Sequence, residues 1–551
     1  MIRSVVTLAS TERKPSPPVP LEIEEEPDMS KKLRPWFLVA AILATVGAIH
    51  LLTLRPGHDW GGDFSMYVHH AKNLAEGTPY AETGYLYNPA YATIGPPTYP
   101  PVFPLILAPV YLLCGLNFEA MKLVMVASLV VFLLLVFLTF RRELPLGHAL
   151  AIVVLVGLSR TLLGGANSIG SDMPFMAILY LTIFTLQKAY DTYRNRRPRF
   201  RYLVPAVVLM CVAFGSRTLG GLLVPSVLAY DLLRYRRITG WAVAVGAAMV
   251  AFALAQGVFV HSDSAYFDQY NVGPSVFLHN GAAYLAEFAA FWHNGYFKPL
   301  GGLIFVVVTT LAVLGYASRV RRRVTLLEVF PVLYLTAVLL FPGFAGRRYL
   351  EPIFPLYLFF AFRGLEHAWL VRRVRVRRVV FASLLVAVSG SYLASATRLD
   401  LDVTEGIGKA ESVALFDYVR HETPEDGVVI FIKPRVMSLL ASRRASAYHM
   451  PSDPSLLWDY FSRIGATHLV VVENDEAFAG AEDPARLAYL RTFAEENPAK
   501  LRPVFANADF RVYRIADQGA GLATAASEAV AETHGQASVV LATATASGPS
   551  R

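Results

Sequence analysis

The sequence predicts a multi-pass α-helical membrane protein with a small extracytoplasmic α/β domain near its C-terminus, and three observations predict it. Residues of the apolar set make up 54% of the 551 residues and charged residues only 17%, where a soluble chain carries roughly 25% charged residues. Apolar runs recur that are long enough, at roughly 17–25 residues, to cross about 30 Å of hydrocarbon. Arginine blocks between those runs fall on alternate loops, the pattern by which membrane topology is set. A single water-soluble domain is excluded.

The first 35 residues hold Pro15, Pro17, Pro18 and Pro20, an acidic run from Glu22 to Asp28, then Lys31, Lys32 and Arg34, with no long apolar stretch before Trp36. Residues 1–35 therefore read as a disordered cytoplasmic tail ahead of an uncleaved anchor. Apolar runs follow at 36–54, 121–140, 149–166, 174–190, 202–216, 219–233, 240–260, 300–316, 325–342, 352–370 and 379–396, giving eleven expected spans in a membrane domain over 36–396. The further run Pro101 to Gly115 is short and holds Pro101, Pro104 and Pro109, so it reads as an interfacial helix.

Charge decides that reading. With 101–115 on the surface, nineteen arginines share one side: Arg141 and Arg142, five between Arg194 and Arg201, Arg234, Arg236 and Arg237, four between Arg319 and Arg323, and five between Arg372 and Arg378. The opposite loops hold seven positive residues, Arg55, Lys72, Arg160, Arg217, Lys298, Arg347 and Arg348. The Arg-rich side is then cytoplasmic, and the loops at 55–100 and 261–299 and everything after 396 lie outside. The expected place is a cell (inner) membrane, with a cytoplasmic N-terminus.

Beyond 396 hydropathy drops and short elements alternate: helices at 411–422, 436–442, 456–464 and 484–496, and strands at 428–432, 468–472 and 510–515. This is the extracytoplasmic α/β domain, 397–516. Residues 517–551, rich in Ala, Ser, Thr and Gly, read as a disordered tail. The net charge of +8 and a pI near 9.3 do not signal nucleic acid, because the positive residues alternate with spans instead of forming one face. The two cysteines, Cys114 and Cys211, sit inside apolar stretches, which excludes a disulfide framework and a Cys-rich metal site.

No phosphate-cradling glycine loop, metal-ligand spacing or nucleophile elbow is present. Polar and ionisable residues gather instead on the outer loops. The first of these runs from Asp59 through Gly61, Gly62, Asp63, Tyr67, His69 and His70 to Leu74, Gly77 and Tyr80, with a helix expected over 64–76 that Gly77 ends. Asp63, Tyr67, His70 and Leu74 share one helix face. Asp63 reads first as the N-cap of that helix and second as a chemical group, and the two roles can coexist. Adjacent His69 and His70 point about 100° apart on a helix and have no third ligand nearby, so no metal site is expected.

Asp172, two residues before Pro174 at an outer helix start, again reads as a cap or as a functional acid at the membrane edge. Arg217 stands in a tight outer turn where positive charge is scarce, which favours an anion contact over simple snorkelling. Arg347, Arg348 and Tyr349 at the next outer mouth suit a phosphate or diphosphate head group, against a plain Arg348–Glu351 ion pair at i,i+3. Acids in two outer loops and arginines in two others compose a site that takes a proton from an acceptor and stabilises an anionic phosphate leaving group carried by a lipid.

At these residues the sequence resembles the GT-C superfamily of membrane glycosyltransferases that use polyprenyl-phosphate sugars, and is similar to protein O-mannosyltransferases and to the aminoarabinose transferases of lipid A. The resemblance rests on Asp63 with Tyr67, Ala71, Leu74, Gly77 and Tyr80, on Tyr99-Pro100-Pro101 opening the interfacial helix, on Asp172-Met-Pro174, and on Arg348-Tyr349-x-x-Pro352. It covers 36–370 plainly and the outer domain loosely. It implies a GT-C type fold with interfacial helices in the first outer loop, Asp63 as catalytic base, Asp172 as the second catalytic acid, and Arg217 and Arg348 as contacts for the lipid phosphate. Asp59, Tyr67, His70, Arg347 and Tyr349 complete the expected substrate-binding set.

Two departures stand out. Relatives often open the first loop with an acidic pair, whereas Phe64 follows Asp63 here and Asp59 is the available second carboxylate; some carry Lys where Tyr99 stands. The implied activity is inverting transfer of a sugar, hexosyl or pentosyl, from a polyprenyl-phosphate sugar to a hydroxyl on a glycan, lipid or protein acceptor. The lipid-linked sugar is the donor substrate, and no cofactor or metal is expected. A lipid or glycolipid transporter (flippase) is the rival reading, and it would show internal repeats and mid-membrane charges; a scaffold whose outer domain binds a partner is a third.

Overall fold

The computed structural model describes residues 29–194, 200–260, 273–292, 298–341, 346–367, 374–396, 405–478 and 483–516. The two expected disordered tails lie outside them, apart from residues 29–35, which are helical. The membrane part is built of helices α1 (Met29–Leu52), α2 (Gly62–Glu76), α3 (Val102–Cys114), α4 (Phe118–Phe140), α5 (Leu146–Gly157), α6 (Arg160–Gly165), α7 (Asp172–Arg194) and α8 (Phe200–Ser216), followed by α9 (Leu223–Tyr235), α10 (Gly240–Val260), α11 (Pro274–Ala290), α12 (Lys298–Arg322), α13 (Leu326–Leu340), α14 (Phe354–His367) and α15 (Val374–Ala396). Among the described residues, four segments, Pro35–Leu52, Phe118–Phe140, Gly240–Val260 and Leu300–Arg322, are long and apolar enough to cross a membrane. The other helices are shorter or less apolar.

The expected span 149–166 is broken. Gly157 is pressed so closely by Val46 of α1 and Leu133 of α4 that a Cβ there would lie 2.9 Å from each. Its carbonyl accepts a 2.8 Å bond from His50 Nε2, which takes up a group the helix would need to continue. The chain turns at Leu158 and Ser159 and resumes as the short α6. Helices α12 and α14 cross at Gly315 and Gly364, where any Cβ would collide with the backbone opposite, the close approach that small residues permit in membrane packing. Helix α11 lies within the expected outer loop 261–299.

The run 101–115 is the separate helix α3. It buries Phe103, Leu107 and Ala108 and turns Leu105, Leu112 and Leu113 outward, Leu113 being 85% exposed. At 13 residues it is shorter than a membrane-crossing helix.

The C-terminal residues form α16 (Ala410–Glu422), α17 (Pro434–Ala441), α18 (Ser455–Arg463) and α19 (Pro484–Glu496) around a mixed sheet. Its strands are β2 (Tyr85–Leu86), β4 (Val428–Ile430), β5 (Arg444–Ser446), β6 (Ala466–Val472), β7 (Leu501–Ala506) and β8 (Phe510–Ile515), in the order β2-β5-β4-β6-β8-β7. The pairs from β2 to β6 are parallel, and β8 runs antiparallel to both β6 and β7. β2 belongs to the first loop after α1, so the sheet is completed from far away in sequence.

A second parallel pair joins β1 (Gly57–His58) to β3 (Glu405–Gly406). Trp60 goes further: 2% exposed, it stacks on Phe478 at 4.6 Å and meets Phe416, Phe431 and Phe510 at 5.8–5.9 Å. The first loop and the α/β domain therefore share one aromatic core. Trp60→Ala is expected to cost roughly 3–5 kcal/mol of that unit's stability, read as faster limited proteolysis of the domain and a lower thermal midpoint; wild-type protease resistance would show that the shared core does not hold the domain.

Candidate active site

The site is assembled where the start of α2 meets the start of α7, the end of α8 and the turn before α14. Asp63 is not the cap of α2. The helix starts at Gly62 with Gly61 as an N-cap that makes no side-chain bond, so Asp63 lies inside the first turn and its carboxylate faces other elements. Gly77 does end the helix, in the left-handed region at φ 72°, as a C-terminal glycine does at little steric cost.

Asp63 Oδ1 accepts a 2.7 Å hydrogen bond from the Tyr99 hydroxyl, and Oδ2 accepts one of 3.1 Å from Arg348 Nη1. Arg348 also donates from Nε to Asp172 Oδ2 at 2.6 Å. Arg217 pairs with the other oxygen of Asp172 and its guanidinium lies 5.5 Å from the ring centre of Tyr349. One arginine thus bridges two acids a hundred residues apart in sequence, with a second arginine behind. Burial alone would raise the Asp63 carboxyl, but the charges of Arg348 and Arg435 and the Tyr99 hydroxyl outweigh it and hold it below its ordinary value. Burial opposes the charge on Arg348, and Asp63 first among its neighbours raises its guanidinium above the ordinary value.

The Arg348–Glu351 pair that spacing allows does not form in the described residues; Arg348 turns to Asp63 and Asp172. Burial pushes Glu351 up to about 8, with the charges of Arg348, Arg217 and Arg347 opposing it. Arg347 donates to Glu287 of α11 at 2.9 Å and so points away from the two aspartates. Tyr67 reaches Ser171 at 3.0 Å and stacks on Tyr99 with centroids 4.8 Å apart, which seals the floor of the cluster.

Two expected substrate contacts are engaged elsewhere. His70 is fully buried; its Nδ1 lies 2.8 Å from the Tyr80 carbonyl and its Nε2 accepts from the Tyr99 amide at 3.2 Å. Those partners require the neutral Nδ1–H form, and burial holds its pKa down to about 4. His70 therefore fixes Tyr99 from behind. Asp59 accepts from the Gly61 amide at 2.9 Å and lies 3.0 Å from His58 Nδ1, and no contact with Asp63 is formed among the described residues. Nor do the described residues gather three metal-ligating side chains.

Sequence reasoning missed Arg435. It enters from α17 of the C-terminal domain, and its Nη1 lies 2.8 Å from the Tyr99 hydroxyl and 3.6 Å from Asp63 Oδ1. Where some relatives carry a lysine, this chain places a tyrosine backed by a guanidinium. The sequence carried no signal for it: that α17 is buried at every position from Pro434 to Ala441, which leaves its lone charge in need of a partner, follows only from how the domain docks.

A cavity of about 370 Å³ between α11, α12, α13 and α14 is lined by Leu285, Phe288, Phe305, Val332, Ile353 and Tyr357, among others.

With this geometry in place, the chain can be set beside known proteins. The family model for dolichyl-phosphate-mannose-protein mannosyltransferase matches residues 98–261, the segment that holds Tyr99, Asp172 and Arg217. No curated protein sequence matches the chain. Among solved structures, ArnT from Cupriavidus metallidurans bound to undecaprenyl phosphate aligns with a TM-score of 0.54 and 15% identity, over 87% of this chain and 98% of that one. The oligosaccharyltransferase AglB from Archaeoglobus fulgidus, in complex with an inhibitory peptide and a dolichol-phosphate, gives 0.57 and 12%, over 80% and 70%. The arabinofuranosyltransferase AftD from Mycobacteria gives 0.52 and 14%, over 89% and 40%. The chain shares the fold of GT-C membrane glycosyltransferases, as its residues had suggested.

Proposed function

We propose that this protein transfers a sugar from a polyprenyl-phosphate donor to an acceptor hydroxyl at the outer face of a cell membrane, with eleven spans, a cytoplasmic N-terminus and the α/β domain outside. The observation that carries the reading is Arg348, bonded to Asp63 and Asp172 at once; an apolar cavity lined by Ile353, Tyr357 and Phe288 offers room for a lipid chain. Its support is chemical. A guanidinium that already binds two carboxylates can exchange them for phosphate oxygens of the same charge and geometry.

In this reading the donor phosphate draws Arg348 and Arg217 to itself, and Asp63 Oδ2 loses its partner. That oxygen takes the proton of the acceptor hydroxyl, the acceptor oxygen attacks the anomeric carbon, and the bond from that carbon to the phosphate oxygen breaks on the opposite face. The electron pair leaves with the polyprenyl phosphate, whose charge the arginines stabilise. The sugar inverts. Asp172 holds Arg217 and Arg348 in place, and Tyr67 and Tyr349 flank the cluster. The step calls on no cofactor or metal.

Because the Asp63 carboxyl is held below its ordinary value, it stays ionised down to at least about pH 5. The ion pairs contribute stability above the unfolded value near 3.9, which is lost only as pH falls through the lower folded value. The kcat/KM profile is expected to show no acid limb from Asp63 between pH 5 and 7, and any limb near pH 8 should vanish in Glu351→Gln; a limb near 6 in that variant would contradict the assignment.

The test of function is a panel of radiolabelled polyprenyl-phosphate sugars offered to the purified full chain in nanodiscs with membrane extract as acceptor. One donor consumed, with label in a new product, supports the reading. No donor consumed, with lipid-linked sugar moved across the bilayer instead, establishes the transporter.

A further inference from the structure

We propose that Arg435, supplied by the C-terminal domain, is a positioning residue that acts through Tyr99 to fix which oxygen of Asp63 serves as the base, so that the domain is part of the active site. The proposal rests on the transferase reading for its kinetic consequence and on geometry for the rest.

Arg435 is 1% exposed, and a buried guanidinium depends on the partners of its donors; here the two terminal nitrogens find them. Nη2 donates to the Pro96 carbonyl at 2.6 Å and Nη1 to the Tyr99 hydroxyl oxygen at 2.8 Å. The rings of Tyr85 and Tyr99 both lie 5.1 Å from its guanidinium carbon. Gly95 makes room: at φ +88°, a Cβ there would stand 3.2 Å from Nη2.

Bond direction follows from what each group can do. Arginine only donates, so the Tyr99 oxygen accepts from Arg435. The one hydroxyl proton of Tyr99 then points to Asp63 Oδ1, 2.7 Å away. Oδ1 is occupied permanently, whereas Oδ2 is held only by Arg348, the group that a phosphate would draw off. The backbone of Tyr99 is fixed by His70 at its amide and by the Tyr80 hydroxyl at its carbonyl, and its ring is held between Tyr67, stacked at 4.8 Å, and the Arg435 guanidinium. Arg435 in turn cannot leave without the domain, which is tied to the first loop by Trp60, by the β2–β5 pairing, by Asn88 bonding the Ala447 carbonyl at 2.8 Å, and by Arg486 3.6 Å above the Tyr91 ring.

The charged and titratable groups that face Asp63 are Arg348, Arg435, Tyr99 and Tyr67. The experiment compares wild type with Arg435→Met, Arg435→Lys and Tyr99→Phe as full chains in detergent. Each is titrated with a hydrophobic carbodiimide, which modifies protonated carboxyls, and label at Asp63 is read by peptide mass spectrometry. Arg435→Met and Tyr99→Phe are expected to raise Asp63 labelling about tenfold at a given pH, the loss of a charge-assisted bond, while Arg435→Lys stays close to wild type.

In the transfer assay the same two variants should lower kcat at least about tenfold with donor KM changed less than about twofold. Tyr99→Phe keeps the Arg435–Pro96 bond, and so carries the test if Arg435→Met fails to fold. Wild-type labelling of Asp63 in every folded variant would make Arg435 a domain strut and overturn the proposal. A labelling shift in a protein that consumes no donor would leave the positioning role standing and the transferase reading fallen; transfer without a shift would do the reverse.

Discussion

Asp63→Asn is expected to bind polyprenyl phosphate at least as tightly as wild type and to transfer sugar about 10³-fold more slowly, within the range a lost general base costs. The asparagine keeps an oxygen for the Tyr99 hydroxyl, so α2 and the loop around Tyr99 should stay in place. Its amide cannot take a proton, and where it faces Arg348 Nη1 two donors meet. Removal of one negative charge beside Arg348 and Arg435 also lowers the repulsion felt by an incoming phosphate. Loss of turnover with undiminished lipid binding therefore separates a base from a structural residue. Binding of tritiated undecaprenyl phosphate and single-turnover transfer, measured on the same preparation, check it; transfer within about threefold of wild type would remove Asp63 from the chemistry.

Arg348→Met is expected to fail in both measurements. Without the guanidinium, Asp63 and Asp172 face each other's charge across the site, and a phosphate meets two carboxylates with only Arg217 to favour it. Loss of one donor to a developing anion costs about 10²–10³ in kcat, and loss of a charge-assisted hydrogen bond raises donor KM about tenfold or more. Arg348→Lys keeps a charge but reaches one partner at a time, so it should recover donor binding more than turnover. Arg217→Met should be milder, since Arg217 contacts Asp172 and Tyr349 and not Asp63. A donor KM unchanged in Arg348→Met would place the phosphate elsewhere.

The parts of this architecture legible in the sequence are those with local causes. Apolar length marked the helix at 240–260 to the residue, and the glycine after Glu76 marked the end of α2. In the C-terminal domain, α19 and β8 lie where periodicity put them, at 484–496 and 510–515. What escaped has non-local causes. β2 is two residues long and pairs with a strand some 360 residues further on, so no alternation marks it. β7 carries Pro503 and an exposed Arg502, which disguise an edge strand. α5 stops because His50 of α1 bonds the Gly157 carbonyl, a contact that hydropathy does not encode.

The site divides along the same line. Asp63, Asp172, Arg217 and Arg348 were visible because each is a charge in a loop or at the end of an apolar run, and the structure draws the four together. His70 shares the helix face of Asp63, yet it faces the Tyr80–Tyr99 loop and not the opening. Arg435 was invisible because its role depends on how the α/β domain docks, which Trp60, Tyr91 and Asn88 of the first loop determine. A residue pattern confined to one segment cannot report that.

The central claim is that a lipid phosphate sits on the Arg348 bridge. A cryo-electron-microscopy map of the wild-type full chain in nanodiscs with undecaprenyl phosphate tests it most directly. Phosphate density is expected within hydrogen-bonding reach of Arg348 and Arg217, with the Arg348 contact to Asp63 released and the lipid chain entering the cavity lined by Phe288, Ile353 and Tyr357. Phosphate density at the opposite, Arg-rich face, with the Asp63–Arg348–Asp172 bridge intact, would contradict it.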